Sequence, residues 1–567
     1  MTALLLASVA GSASAQDGRG GLRTPPAKVP AGYHDAEALK GRLEALQKAR
    51  PKLLELKTIG RSVQGRPILA VRLAGAAQGE SGRRPALLVI GNLAGDEAAA
   101  GEAVLRIAEF VLAMIDREAG VKALMAGREI WLIPRPNPDA TELLFAKPAL
   151  ARRRNLQPSD DDRDGDRDED GPLDLDGDGQ VLLMRRRDAS GDRVSDDDTG
   201  LMRPADPGRG ERGEFRVWAE GIDVDGDGRI NEDGPGGVDL DRNFPIAWRP
   251  QHEAPGAGAH PLSEPESLAL AEFLVGHPEI SLVVHVHCNQ HGALTAAPAP
   301  IPKVDGRLYE ALRRVAKEAV RDPRDPLPAF ARPGGSRQSG SLQDFIYHGL
   351  GRLAWPLRIW QRPPVAAKPG ESGALAPETR ADRARAWRRF FGKSGDETAP
   401  AERGFVPWKP VTHPVLGEVE VGGFTPFSLK TPPSAQLSSA VAPVVRFALN
   451  AATLLPELEW LETEVTPLGG DLYRIDLSLR NRGFFPLQTE RGQALKKAPP
   501  TVLAVGLEAG DALVTGRRRQ QLGNLAGRAV LRRRLLVRGA AGHRVTLTLS
   551  SPVAGEVVRR VTLGKDL

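Results

Sequence analysis

The stretch Gly91-Asn-Leu-Ala-Gly-Asp-Glu97 follows an apolar run, Ala86 to Ile90. A glycine-rich turn after a buried strand is a common place for reactive side chains, because the strand fixes what the turn presents. Here the turn delivers an acidic pair, Asp96 and Glu97. A metal site would want histidine three residues before Glu97, and that position holds Ala94. The pair therefore reads either as a metal site that has lost a ligand or as a plain turn.

Three other segments place carboxylates at alternate positions with glycine at the bend: Asp160 to Asp170, Asp174 to Gly179 and Asp223 to Asp233. Asp174, Asp176 and Asp178, with Asp223, Asp225 and Asp227, are candidate calcium ligands, because this spacing matches the first half of a calcium loop. The twelfth position of the third segment is Gly234, so the bidentate glutamate of an EF-hand is absent there. Crowded carboxylates repel one another unless a cation neutralises them. The competing reading is a solvated acidic loop held by Arg152 to Arg154 and Arg185 to Arg187 on either side.

The elements that must position these residues follow from periodicity. Asp35 is a suitable N-cap for a helix in which Ala38, Leu39, Leu43 and Leu46 recur at helical spacing and which Pro51 ends. Strands are predicted at 66–74, 86–90, 130–133 and 280–287, with helices from about 99 to 114 and from Ser263 to Gly276. Strands alternating with helices predict an α/β sheet domain up to about residue 400. After about residue 450 the texture changes: Leu472 to Leu479 and Val545 to Leu549 alternate with period two, the pattern of a small antiparallel β-sandwich. The expected organisation is a signal peptide over 1–15, a linker over 16–31, the α/β domain over 32–400 with an Asp-rich insert at 156–235, a connector over 401–450 and the sandwich over 451–567.

Composition narrows the function. A net charge of +5, from 77 basic and 72 acidic residues, gives no reason to expect a nucleic-acid partner. Cys288 is the sole cysteine, so no intramolecular disulfide can form. The N-terminal apolar stretch ends in Ala13-Ser-Ala15, a small-x-small cleavage pattern, and predicts export to a periplasmic or secreted location. No other apolar run is long enough to span a bilayer.

Taken in order, the motifs resemble the zinc carboxypeptidases of the carboxypeptidase A type over roughly residues 33–360. Ile59 to Arg66, the Gly91–Glu97 turn, Asn137-Pro-Asp139, Gly237 to Phe244, Ser263-Glu-Pro-Glu266, His287, and Asp344 to Tyr347 followed by Leu353 to Ile359 each resemble a family motif. Gly404 to Trp408 and His413 to Gly423 resemble the connector that a bacterial branch of the family places before a β-sandwich. The resemblance implies an α/β/α sandwich with a mixed central sheet. It also implies a zinc ion held by His, Glu and His with an open position for water, a glutamate base, and arginines that grip peptide C-terminal carboxylates and polarise the scissile carbonyl.

Carried over residue by residue, the roles are incomplete. Glu97 and His287 match two zinc ligands, and Ala94 replaces the first histidine. Arg153 matches the carbonyl-polarising arginine, with Arg152 and Arg154 as competitors. Arg242 matches the carboxylate-binding arginine, and its usual asparagine neighbour is Asp241, a possible ion-pair partner. Arg358 stands at the catalytic glutamate, and no tyrosine occupies the substrate-capping region around Gly335 to Ser339. A guanidinium cannot deprotonate in a protein, so Arg358 is no base. Two unit charges ~4 Å apart repel by roughly 4 kcal/mol at an effective dielectric of ~20, so Arg358 would also oppose a zinc ion.

The expectation is a family member with lost or impaired catalysis, in which Arg358 pairs with Glu97 in the emptied metal site and the pocket still binds carboxylates. One alternative is an active enzyme that recruits His285 or His291 as a displaced ligand. The other is an extracytoplasmic module whose calcium loops and β-sandwich do the contacting. Glu102, on the helix after the turn, reads as a surface or buried-pair residue.

Overall fold

The computed structural model describes residues 32–75, 83–160, 165, 167–168, 171–195, 202–224, 226, 228–231, 236–288, 301–319, 339–360, 404–496 and 500–564. The expected signal peptide and linker, His291, Gly335 to Gln338, Asp225 and Asp227 lie outside them.

The first sheet has six strands in the order Leu54–Arg61, Pro67–Ala74, Glu129–Ile133, Ala86–Ile90, Ile280–Cys288 and Leu353–Trp360. The first two pairings are antiparallel and the other three parallel, which gives the mixed sheet the sequence implies. Ala86–Ile90, Glu129–Ile133 and Leu353–Trp360 are buried at every position, the pattern of strands covered on both faces. Leu87, Val89, Val284, Val286 and Leu357 face one core, which helix Ala98–Met114 and helix Ser434–Ala452 close. Leu88, Ile90, Val283 and Ala354 face the other, which helix Pro265–Gly276 closes. By the same alternation His285, His287 and Arg358 point to the second face, at the carboxyl end of parallel strands.

The entry helix spans Ala36–Ala49, with the Asp35 side chain accepting the Ala38 amide. The stretch expected to be a connector is structural. Phe405–His413 and Gly417–Phe424 form a hairpin that joins the Asp-rich insert in a second six-stranded sheet, pairing with insert strand Leu183–Arg187. The Arg185 guanidinium bonds Glu420 at 2.8 Å across that junction. Helix Ser434–Ala452 then packs on helix Ala98–Met114.

Beyond it, two four-stranded sheets stack as a sandwich: Leu458–Gly469, Leu472–Asn481, Val530–Arg538 and Ala512–Thr515 against Arg519–Leu522, Thr501–Gly506, Arg544–Ser551 and Gly555–Thr562. Every second residue of Leu472–Asn481 is buried, as its sequence alternation requires. The sandwich is pinned to the α/β domain through Asp305, which accepts the Tyr347 hydroxyl at 2.8 Å and the Glu490 amide at 2.8 Å. No helix among the described residues is long and apolar enough to cross a membrane.

Candidate functional site

The Gly91–Glu97 turn is shaped by its own side chains. Asn92 adopts a positive φ of 45° and donates its amide to the Ala94 carbonyl at 2.7 Å. Asn137 donates to Leu93 O at 3.2 Å, and the Gly95 amide to Arg153 O at 3.0 Å. A Cβ on Gly95 would collide with Ala140 and with the Arg152 carbonyl, so glycine is required there. These contacts place Glu97, fully buried, at the start of helix Ala98–Met114.

Glu97 meets His287 with Oε2 3.5 Å from Nδ1. His285 lies beside His287, ring centroids 3.8 Å apart, and Arg358 is the cross-strand partner of His287. Asp96, next to Glu97, is bonded at 2.6 Å by Lys430. This lysine follows the hairpin of the second sheet, and sequence reasoning gave it no role.

The electrostatics are those of a carboxylate among cations. Burial pushes the Glu97 carboxyl above the usual range, against the pull of Lys430, Arg153 and His285. Burial and the nearby Arg153, Arg358 and Lys430 drive His287 down to about 3, so its ring is neutral. His285 is pushed well below the ordinary histidine value by burial and by His287. Burial also lowers the Arg358 guanidinium, and Glu97 opposes that shift, so the two are electrostatic neighbours.

One rim of the crevice belongs to Asp239. It accepts Arg153 Nε at 2.8 Å and lies 3.5 Å from Arg242 Nε. Burial would raise its carboxyl, but Arg153 overrides this and holds it below the usual carboxylate range. Arg152 instead bonds the Gly236 carbonyl at 2.6 Å, so of the three consecutive arginines it is Arg153 that reaches this rim. Arg242, for which the sequence offers Asp241 as a possible partner, lies 3.5 Å from Asp239. Asp241 accepts the Leu342 amide at 2.9 Å, and burial together with Asp239 pushes its carboxyl up to about 7.

The remaining motif residues are braces. Asp139, fully buried, accepts Ser62 Oγ, the Gln64 amide and Arg66, each at 2.8 Å, which ties the Ile59–Arg66 stretch to Asn137-Pro-Asp139. Glu266 accepts the Val63 amide at 3.0 Å, and Asn155 bonds both Glu264 and Glu266. Glu102 is a buried-pair residue, bonded to the His34 amide and to its ring, each at 2.9 Å.

A catalytic zinc ion needs three protein ligands and an open position. The Ala94 methyl offers none. Among the described residues, Glu97, His285 and His287 do not bring three ligand atoms within 4.8 Å of one another. Arg153, Arg358 and Lys430 all act on the two remaining ligands. As placed, these residues do not fit the ion, with His285, the alternative third ligand, lying beside His287.

In the insert, ligand oxygens of Asp174, Asp176 and Glu220 do come within 4.8 Å of one another. Glu220 was not a sequence candidate, and Asp178 is not part of the group. Asp223 accepts the Gly226 and Gly228 amides, just as Asp174 accepts those of Gly177 and Gly179.

A family model described as zinc carboxypeptidase matches residues 40–180 and 205–362, and a model of a domain of unknown function matches 457–562. Carboxypeptidase E of Caenorhabditis elegans is 30% identical over 138 residues, 23% of this chain and 29% of that protein. A zinc carboxypeptidase of Saccharothrix mutabilis subsp. capreolus is 30% identical over 129 residues, 23% of this chain and 30% of that protein. The chain thus spans less than a third of either relative's length. Among solved structures, carboxypeptidase A from Helicoverpa armigera is 16% identical with a TM-score of 0.38, covering 61% of this chain and 68% of that one. Thrombin-activatable fibrinolysis inhibitor is 17% identical with a TM-score of 0.36, covering 62% and 72%.

Proposed function

The chain belongs to the zinc carboxypeptidase family, and from that premise we propose that it has given up hydrolysis and binds the C-terminal carboxylates of peptides. What supports this reading is the chemistry around the ligand-poor cradle: Ala94 offers no ligand, Arg358 is the cross-strand partner of His287, and Lys430 bonds Asp96 beside Glu97, so positive side chains surround the two remaining ligands. Arg358 can neither accept a proton from water nor tolerate a cation beside it. Binding needs neither. Two guanidiniums, Arg153 and Arg242, share the carboxylate of Asp239, and while Asp241 is protonated the pair can take a further carboxylate from a ligand. Arg242 is about a third exposed at 36%, open to an incoming carboxylate.

The test is a titration with one peptide in two forms, free acid and C-terminal amide, in chelator. The free acid should bind and survive intact, with the amide at least roughly tenfold weaker. Equal binding of both forms, or cleavage of the free acid, would overturn the reading. Asp241 adds a pH signature. Its carboxyl, raised to about 7, is neutral below that pH and becomes an anion beside Arg153 and Arg242 above it. Affinity for the free acid should therefore fall between pH 6 and 8 by roughly tenfold, about 1.4 kcal/mol of repulsion, and Asp241→Asn should flatten the profile.

We also propose that the insert loop binds calcium through Asp174, Asp176 and Glu220. Glu220 is fully buried and accepts the Leu175 and Leu182 amides; burial still raises its carboxyl to about 7, so at higher pH it is an anion beside Asp176 whose charge a divalent cation would offset. Added calcium should raise the melting temperature more at pH 8 than at pH 5, and Asp174→Asn should abolish the gain. An equal shift in that variant would refute the site. Export stands as a proposal too, tested by whether the mature N-terminus is Gln16.

A further inference from the structure

We propose that the β-sandwich takes up an acidic segment of another polypeptide as an added strand, along the open half of strand Val530–Arg538. On one side this strand pairs with Leu472–Asn481 over its whole length, from Val530 opposite Arg480 to Arg538 opposite Leu472. On the other side Ala512–Thr515 pairs with it only at Arg538, Val537 and Leu536. Among the described residues, Val530 to Leu535 have no strand on that side. A strand edge left open presents a row of backbone donors and acceptors to an incoming chain.

Local hydrogen bonds tell which backbone groups face the gap. The Leu536 amide donates to the Thr515 hydroxyl at 3.1 Å, beside an irregularity in the register where the pairing ends. Alternation along the strand then turns the amides and carbonyls of Arg534 and Arg532 to the same side. The Arg532 carbonyl accepts Nη1 of Arg533 at 3.0 Å, so a side chain takes the place of the absent strand. Gly516 to Arg518 carry the chain across to the opposite sheet, where the Arg518 carbonyl accepts the Val505 amide at 2.8 Å.

Charge selects the occupant. Arg532 and Arg534 are exposed on the outer face, and Arg517, Arg518 and Arg519 are exposed at the crossing. Asp476 accepts both Arg534 and Arg474, at 2.7 and 2.8 Å, whereas Arg532 and the three arginines at the crossing have no ion pair among the described residues. Leu531 and Leu535, at the alternate positions, pack into the sandwich core. A second copy of the same edge would set arginine against arginine, which disfavours self-pairing. A strand with acidic residues on its outer face and apolar residues on its inner one would meet the arginines with its carboxylates and extend the leucine layer beneath. A nucleic acid or a lipid surface would use the charge and leave the backbone groups unpaired.

The experiment is fluorescence anisotropy of the full chain with a dye-tagged peptide of alternating glutamate and valine, amidated at its C-terminus so that the Arg242 crevice takes no part. Saturable binding is expected, falling as salt rises and at least roughly tenfold weaker for the backbone N-methylated peptide, which keeps the charges and cannot join a ladder. Arg532→Glu combined with Arg517→Glu should weaken binding by a similar factor, and both side chains are exposed, so the fold is undisturbed. The Arg532 and Arg534 amides should gain protection from hydrogen exchange when the peptide binds. No saturable binding would overturn the proposal. So would equal binding of the methylated peptide, the result for a merely charged surface, or a short DNA duplex that binds as tightly as the peptide.

Discussion

A variant carrying Ala94→His and Arg358→Glu should retain about one zinc ion per chain after desalting, because together the changes supply the missing third ligand and remove the opposing cation. Ala94 lies on a turn whose backbone is fixed by Asn92 and Asn137, so a histidine there starts from a pre-positioned Cα. Arg358 sits directly across from His287 on the neighbouring strand, and glutamate at that register brings a carboxylate to the same rim. Lys430 remains, bonded to Asp96, and Lys430→Met added to the pair should tighten zinc further. Each single change alone should do little, since Ala94→His leaves the guanidinium and Arg358→Glu leaves two ligands. Zinc content by elemental analysis reads the outcome, and failure of the double and triple variants to take up zinc would refute the placement of these residues.

Arg242→Ala should weaken binding of free-acid peptides by roughly 10- to 100-fold, the worth of about 1.5–3 kcal/mol for hydrogen bonds to a charged group. Binding of the amidated peptide should barely change. Arg242 is on the open side of the shared Asp239, so its loss leaves the Arg153–Asp239 pair intact at 2.8 Å and the fold undisturbed. Arg153→Ala is a different perturbation. It strips the buried Asp239 of its main counterion and should lower the melting temperature as well as affinity, a loss on the order of 3–5 kcal/mol for a broken buried pair. If Arg242→Ala leaves free-acid binding unchanged, the carboxylate does not lie where the two guanidiniums meet.

Much of this architecture was legible because the signals are local. The apolar runs at Ala86–Ile90 and Ile280–Cys288 were readable from composition, and the turn that follows the first placed Glu97. His287 and Arg358 were named separately, and only strand pairing shows them side by side. The run Arg152 to Arg154 could not be resolved from sequence, because three adjacent identical residues differ only in the direction the chain gives each one. Asp239 stood inside a quoted motif, yet its role as the common partner of Arg153 and Arg242 appears only in three dimensions. Lys430 carried no signal at all. It reaches Asp96 from 334 residues further along the chain, because a hairpin that read as connector is part of the second sheet. Glu220 was missed for the same reason: the acidic pattern showed one arm of the cluster, and the fold supplied the other.

The most direct test of the central claim is the zinc stoichiometry of the wild-type protein, purified without chelator and offered excess zinc before desalting. The missing ligand at Ala94 and the positive charge of Arg358, Arg153 and Lys430 around Glu97 and His287 predict retention well below one equivalent at that site. About one equivalent, lost on His287→Ala, would contradict it.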